Sequence, residues 1–497
     1  MLDRIKYSSR CIGVISIMLQ SKKNAVLALY LIALCLIGPL IFWLSYRSGR
    51  SGQQAAQPPL NGLFNPPNRN PVLQKRISLG NKVLVTADNN PDKQAGIQAF
   101  AAGDFPTAVA KFNAALQVNR NDPETWIYLE NASAAAISNT IEIGVSVPIG
   151  GNLNVAKELL RGVAQAQYEV NHSGGIGGKL IQVQIANDDN NPIIAKQIAA
   201  EFVKDPDILA VVGHNSSDAS LAAAPIYQKG GLVMISPTSV ARNLGGAGRF
   251  IFRTTPNTRA IADSLASYVV KTARKTRIAI CADSQSEASQ SFQEEFTSSV
   301  FENGGRVTST PCDFSAASFN PSEIPSQAVS DGAEALLLAP AVNRIGQAVE
   351  VAQANHNRLT LFGIHTMYTY ETLQQGQAEV NTMVLSVPWH PSVFPNSPFV
   401  ANAKRFWGGA GNWRTAMAYD AAMAAFTGLK SGAKREQLQK ALSNAGFMFK
   451  GATGVVRFLP SGDRQETGTL VRVQPGRDSG TGYDFAPLSS SIDPSIR

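Results

Sequence analysis

Ile208 to Val212 reads Ile-Leu-Ala-Val-Val, followed by Gly213-His214-Asn215-Ser216-Ser217-Asp218, a run to Tyr227, Gly230-Gly231, Leu232 to Ile235, and Ser236-Pro237-Thr238-Ser239. A short apolar run bounded by turn residues suits a parallel strand buried on both faces. Ser216, Ser217 and Asp218 are residue types that accept from the first free N–H groups of a helix. Gly230 and Gly231 stop that helix, and Leu232 to Ile235 make a second buried strand. This order sets two hydroxyl-rich loops side by side at the carboxyl ends of neighbouring strands, beside a helix amino end that favours an anion. Ser216, Ser217, Thr238 and Ser239 are therefore candidate groups for a small carboxylate or another acceptor-rich ligand. The plainer alternative is that they only cap and turn.

With 497 residues, 44% hydrophobic and 16% charged, the chain is of globular composition and holds about two or three domains. The net charge of +8 is partly local: Arg4, Lys6, Arg10, Lys22 and Lys23 precede an apolar run, and Arg47 and Arg50 follow it. No basic stripe interleaved with aromatics occurs elsewhere, which argues against nucleic acid. Ala25 to Tyr46 is uncharged and long enough to span a bilayer, and no small-x-small cleavage pattern follows it. It reads as an uncleaved anchor with the amino end inside and the bulk outside. Cys11 and Cys35 lie in or before it; Cys281 and Cys312 either pair, if the chain is exported, or stay free and buried. No histidines have metal-ligand spacing, and no cofactor motif appears.

The tether expected over 47–90 is rich in Gly, Gln, Asn and Pro between Ser48 and Pro71. Over 91–137, the apolar offsets Ala99-Phe100, Phe105, Ala108, Phe112, Ala115-Leu116, Trp126 and Leu129 predict packed antiparallel helices, with Pro123 opening the third. This stretch resembles about one and a half tetratricopeptide units, with Arg120 where a proline is usual. Arrays of that kind normally need about three repeats, so the piece is expected to pack on a neighbour or act as a spacer; a protein partner is a second role.

Strand and helix patterns then alternate. Thr140 to Val147, Leu180 to Ala186, Arg277 to Ala282, Ala333 to Leu338 and Thr360 to Gly363 predict strands of parallel sheets covered on both faces. There are too many for one compact sheet, so the fold class is α/β with two doubly wound lobes. The glycines around Lys179 are a turn, because Ser173 and Leu180 stand where a phosphate loop requires glycine and a hydroxyl. Asp188-Asp189 reads as helix capping rather than acid/base catalysis.

The order of Leu160-Arg161-Gly162, Asn171 through Gly178, Asp188-Asp189, Val212 through Ser217, Ala224 through Tyr227, Met234 through Pro237, Phe252 through Pro256 and Ala418-Tyr419-Asp420-Ala421 resembles the leucine/isoleucine/valine-binding family of periplasmic binding proteins. The resemblance implies two lobes joined by three crossings that close on a ligand: 139–255 with 388–447 as lobe 1, 256–387 with 448–475 as lobe 2, and 476–497 as a tail. It also implies that Ser217 and the backbone at Thr238 hold a carboxylate, with Val240 at a frequent threonine position and Ser239 adjacent. The family's capping tyrosine falls at about Glu287, another aromatic at about Ala341, and the acid that receives the ligand's ammonium at about His365. Val155 stands where an aromatic often stacks, and Asn190 and Ser216 occupy the positions of a first-lobe disulfide. An ammonium desolvated without a carboxylate partner costs several kcal/mol, so either Glu287 supplies the charge from another direction or the ligand is not an ordinary α-amino acid.

The leading expectation is a membrane-anchored, extracytoplasmic solute-binding protein that closes on a small solute, an amino acid or amide-like, for an ABC permease. The alternative is a ligand-sensing receptor with a partner on the helical hairpin. No nucleophile elbow, metal motif or phosphate loop supports an enzyme.

Overall fold

The computed structural model describes residues 71–488, which form one compact unit. The basic segment 1–24, the anchor expected at 25–46, Cys11 and Cys35 lie outside the described residues. Among the described residues no helix is long and apolar enough to cross a membrane.

Residues just after position 70 already join the fold. Residues Ile77–Ser78 form β1, which pairs antiparallel with Ile185 and Ala186 at the edge of the first sheet. Residues 71–90, expected as part of the 47–90 tether, instead pack with lobe 1, and 47–70 lie outside the described residues. Three helices follow, α1 (Pro91–Ala101), α2 (Phe105–Val118) and α3 (Pro123–Ala135). Each starts the same way: Asn90, Asp104 or Asp122 accepts from an amide of the first turn, and a proline occupies one of the first two positions, where no intrahelical donor is needed.

This hairpin is not a separate spacer. Asn131 of α3 donates to the carbonyls of Leu79 and Val183 and accepts from the Val183 amide, each at 2.8 Å, so the helix takes up backbone groups of both β1's neighbourhood and the next sheet strand. Beside it Lys93 is wholly buried, with its Nζ 2.7 Å from both Asp122 Oδ2 and Glu124 Oε2. Burial works to lower the Lys93 pKa, but the two carboxylates outweigh it and hold the ammonium above its ordinary range. Glu124 also accepts from the amides of Leu84 and Val85, which ties the segment before α1 to α3.

Lobe 1 continues with β2 (Thr140–Val147), α4 (Leu153–His172), β3 (Leu180–Asn187), α5 (Pro192–Lys204), β4 (Ile208–Val212), α6 (Ser217–Gly230), β5 (Val233–Ser236) and β6 (Ile251–Arg253). The sheet order is β1-β3-β2-β4-β5-β6, parallel except at β1. The continuous apolar runs are buried on both faces because helices lie on either side.

Lobe 2 starts at α7 (Thr258–Ser267), followed by β7 (Arg277–Ala282), α8 (Glu287–Glu302), β8 (Arg306–Val307), β9 (Ala335–Ala339), β10 (Thr360–Ile364) and β11 (Val384–Val387). Leu336, Leu337 and Leu338 are fully buried, each side chain contributing about 1.5–3 kcal/mol of burial. Cys281 at the end of β7 is disulfide-bonded to Cys312, resolving the open choice in favour of pairing.

The chain then returns to lobe 1 through α9 (Trp413–Leu429), which lies along α4 so closely that a methyl on Gly162 would collide with the Thr415 carbonyl. The hairpin β12 (Phe449–Gly451) and β13 (Gly454–Val456) is held to α9 by Asp420, which accepts from the Ala452 amide at 2.6 Å. This places residues 449–456 with lobe 1, not lobe 2 as expected from the 448 boundary. Lobe 2 resumes at β14 (Thr469–Pro475) and ends at β15 (Tyr483–Pro487), antiparallel strands that complete the order β15-β14-β11-β10-β9-β7-β8. The expected tail thus contains an edge strand.

Three segments cross between the lobes: residues 254–257, residues 388–397 and residues 457–468. The first and third are knotted together. Arg253 Nε is 2.6 Å from Asp463 Oδ1, Arg253 N–H donates to Gly462 O at 3.0 Å, and Pro256 bridges to Arg464.

Candidate functional site

Between the lobes lies a cavity of about 300 Å³, the size of a small-molecule site. Its lobe 1 wall comes from the loops after β3, β4 and β5; its lobe 2 wall comes from the loops after β7, β9 and β10; the first residues of α9 close one side. These are carboxyl ends of parallel strands, where loops are free to diverge from the sheet.

The lobe 1 wall is built by local rules. Gly213 has φ +144°, and a Cβ there would sit 2.8 Å from the Ser146 carbonyl, so glycine is required for the turn. The turn buries His214, whose Nδ1 lies 2.6 Å from Asp188 Oδ2 and whose Nε2 lies 3.2 Å from Tyr227 Oη. Burial acts to raise the Asp188 pKa, but the hydrogen bond and charge of His214, with the Asn190 amide and Ser146 hydroxyl, hold it below the usual carboxylate range. Asp188 is thus a structural strut beneath the loop. Its neighbour Asp189 pairs with Arg76 at 2.5 Å.

Ser216 caps α6 by accepting from the Ala219 amide at 3.1 Å. The amides of Ser217 and Asp218 remain as first-turn donors without an intrahelical acceptor. Ser217 Oγ accepts from the Ala241 amide at 3.2 Å, which leaves its own hydrogen to donate. Thr238 is oriented by donating from Oγ1 to the Asn215 carbonyl at 2.8 Å. Together these groups form a donor-rich end suited to an anionic oxygen.

The lobe 2 wall is different in kind. His365 is 3% exposed, and its Nδ1 has no hydrogen-bond partner among the described residues. Burial, and then the nearby Arg414 guanidinium, push its pKa down to about 3, so the imidazole is neutral at physiological pH. The indole of Trp413 meets it edge-on at 5.5 Å, and Trp413 Nε1 is also buried without a partner among the described residues. Arg414 stacks over that indole at 4.4 Å and donates to the carbonyls of Tyr368 at 2.9 Å and Thr366 at 3.3 Å, so a lobe 1 helix holds the lobe 2 loop. Its pKa is pushed down to about 10, chiefly by burial, and it remains a cation.

Of the candidates read from sequence, Ser216, Ser217, Thr238 and His365 line the cavity, as does Ala341. Ser239 does not. Its hydroxyl lies 2.6 Å from Ser220 Oγ and donates to the Ser216 carbonyl at 3.1 Å, stitching two loops behind the wall. Glu287 does not either. It opens α8 at the rim, where its carboxylate accepts from Asn243 at 3.2 Å, while its amide donates to Asp218 Oδ1 at 3.2 Å. Val155 is buried in the core away from the lining. The reading missed Trp413, Arg414, Arg344 and Asp283, all of which line the cavity. For the first two a signal was present: they open the helix that carries Ala418-Tyr419-Asp420-Ala421, with Asn412 as its cap.

A profile of the family described as periplasmic binding protein matches residues 140–480. The Leu/Ile/Val-binding protein of Escherichia coli K12 is 30% identical over 155 residues, which cover 31% of this chain and 42% of that protein. The chain thus spans about two-fifths of the length of the curated relatives it matches. A leucine binding protein from Thermotoga maritima has the same fold, with a TM-score of 0.62 at 19% identity over 71% of this chain and 99% of that one. A solute binding protein of an ABC transporter from R. palustris, solved in complex with 4-hydroxybenzoate, also superposes at a TM-score of 0.62, with 16% identity over 70% of this chain and 96% of that one.

Proposed function

We propose, from the premise that this chain belongs to the periplasmic binding protein family, a non-enzymatic solute-binding class, that it closes on a small carboxylate-bearing solute and presents it to an ABC importer. One observation carries this reading: Ser217 and Thr238 on one lobe face His365 and Thr366 on the other across a single cavity of about 300 Å³. The crossings that join the walls are few, and two of them are cross-linked to each other, which is the anatomy of a hinge. In this reading Ser217 and the Thr238 backbone bind the carboxylate, and the apolar run at 25–46 tethers the clamp on the outer face of the membrane, keeping it near its permease.

A sensing role is the second reading, favoured by one feature. The helices α1–α3 are bonded into lobe 1 through Asn131 and the Lys93 cluster, so a partner seated on them would meet a surface rigidly joined to the binding lobe.

The test is a thermal-shift panel of small carboxylates on the full chain in detergent. A fragment starting at Asp92 is unsuitable because it removes β1 and the segment bonded to Glu124. A true ligand at about a hundredfold excess over its Kd stabilises by about 2.7 kcal/mol. A panel of carboxylates without any shift would contradict the proposal.

A further inference from the structure

Hydrogen-bond donors stand at both ends of the cleft. On lobe 1 the Ser217 hydroxyl and the first-turn amides are donors, with the Asp218 carboxylate beside them at the same helix end. On the opposite side His365 is neutral, Trp413 Nε1 can only donate, and Arg414 adds a fixed positive charge beside them. An ammonium placed against His365 would lose its water, meet no carboxylate there and be repelled by the guanidinium. Glu287 does not repair this, because its carboxylate is at the rim with Asn243.

Each of the three carboxylates of the lining has a partner within the protein, and only Asp189 has a close cation. Asp189 pairs with Arg76 at 2.5 Å. Asp283 accepts from the Ser315 hydroxyl at 2.5 Å and the Gln285 amide at 3.0 Å, with Arg344 Nε at 4.0 Å. Asp218 takes the Glu287 amide from across the cleft.

Resting on the carboxylate-clamp reading above, we infer that the solute is a small organic acid without an ammonium group, carrying a hydrogen-bond acceptor (keto, hydroxyl or second carboxylate oxygen) toward His365 and Trp413. The indole N–H and the imidazole, in the tautomer that carries its proton on Nδ1, donate to such an oxygen, which then satisfies two nitrogens without a partner among the described residues.

The experiment is calorimetric titration of the full chain with matched pairs that differ only in the amine. L-leucine is compared with 4-methyl-2-oxopentanoate and 2-hydroxy-4-methylpentanoate, and L-aspartate with succinate. The deaminated member of a pair is expected to bind more tightly. His365→Glu, which restores a carboxylate, is expected to shift the ratio toward the amino acid by about tenfold or more. Tighter binding of the amino acids by the native chain would overturn the inference while leaving the solute clamp intact, as would their loss in Asp218→Asn, which would mark Asp218 as the ammonium partner. Failure of every acid and amino acid to bind would overturn the clamp as well. If His365→Glu does not fold, the native-chain pairs alone decide.

Discussion

On the lobe 1 side of the cleft, the groups proposed to meet a solute are a serine hydroxyl and main-chain amides at the ends of buried strands. On the lobe 2 side they are the side chains of His365 and Thr366, backed by Trp413 and Arg414 from a helix of the opposite lobe. The difference separates two jobs. Helix ends and turn hydroxyls recognise an anionic oxygen in general, because backbone donors do not depend on which side chains surround them. In the proposal above, side chains at the other wall decide what else the solute carries. The lobes also secure their edges differently: lobe 1 with a buried ion cluster under the hairpin, lobe 2 with a disulfide and two antiparallel edge strands.

The sharpest way to break this contrast is at the ion cluster. Lys93→Met leaves Asp122 and Glu124 buried without their cation and is expected to destabilise lobe 1 by about 3–5 kcal/mol, read by urea denaturation. The matching change in lobe 2, Cys281→Ser with Cys312→Ser, opens a loop spanning a sequence separation of 31 residues and is expected to cost about 3–4 kcal/mol. If the lobes unfold separately, each variant lowers a different transition.

The third effect is smaller and depends on pH. His365 takes up a proton near pH 6.5 when unfolded but only at about 3 in the folded chain. Between those values the folded state binds fewer protons, so stability falls as the pH drops from 6.5 toward 3. The loss from this group is about 2 kcal/mol by about pH 5. His365→Gln should remove that part of the slope in melts recorded across the range, leaving the same-signed contribution of His390, whose burial also lowers its pKa. An unchanged slope would mean the imidazole is not buried neutral.

The contrast between the walls also explains what could be read in advance. Ser216, Ser217 and Thr238 belong to short-range capping and turn patterns, and the parallel strands show as unbroken apolar runs, so lobe 1 and the α/β class were legible. Ile77–Ser78 is a two-residue edge strand with no periodicity of its own, and Tyr483–Pro487 is only half-buried, so both merged with neighbouring irregular segments. Lys93 sits on an otherwise amphipathic helix, where a lysine normally reads as solvated. Trp413 and Arg414 reach the cleft because α9 returns from another part of the chain; the helix was legible through Ala418 to Ala421, but its first residues carry no local pattern that marks them as cleft-lining. Ser239 and Glu287 have suitable chemistry, but hydrogen bonds to Ser220 and Asn243 direct them elsewhere.

The proposed clamp stands on Ser217 gripping a carboxylate from lobe 1. The most direct measurement is isothermal titration of the full chain and of Ser217→Ala with the tightest-binding small acid of the panel, with melting curves confirming that the variant is folded. The account predicts saturable one-to-one binding that weakens by about tenfold or more in the variant, the order of one hydrogen bond to a charged acceptor. An unchanged dissociation constant in a folded Ser217→Ala chain would contradict it.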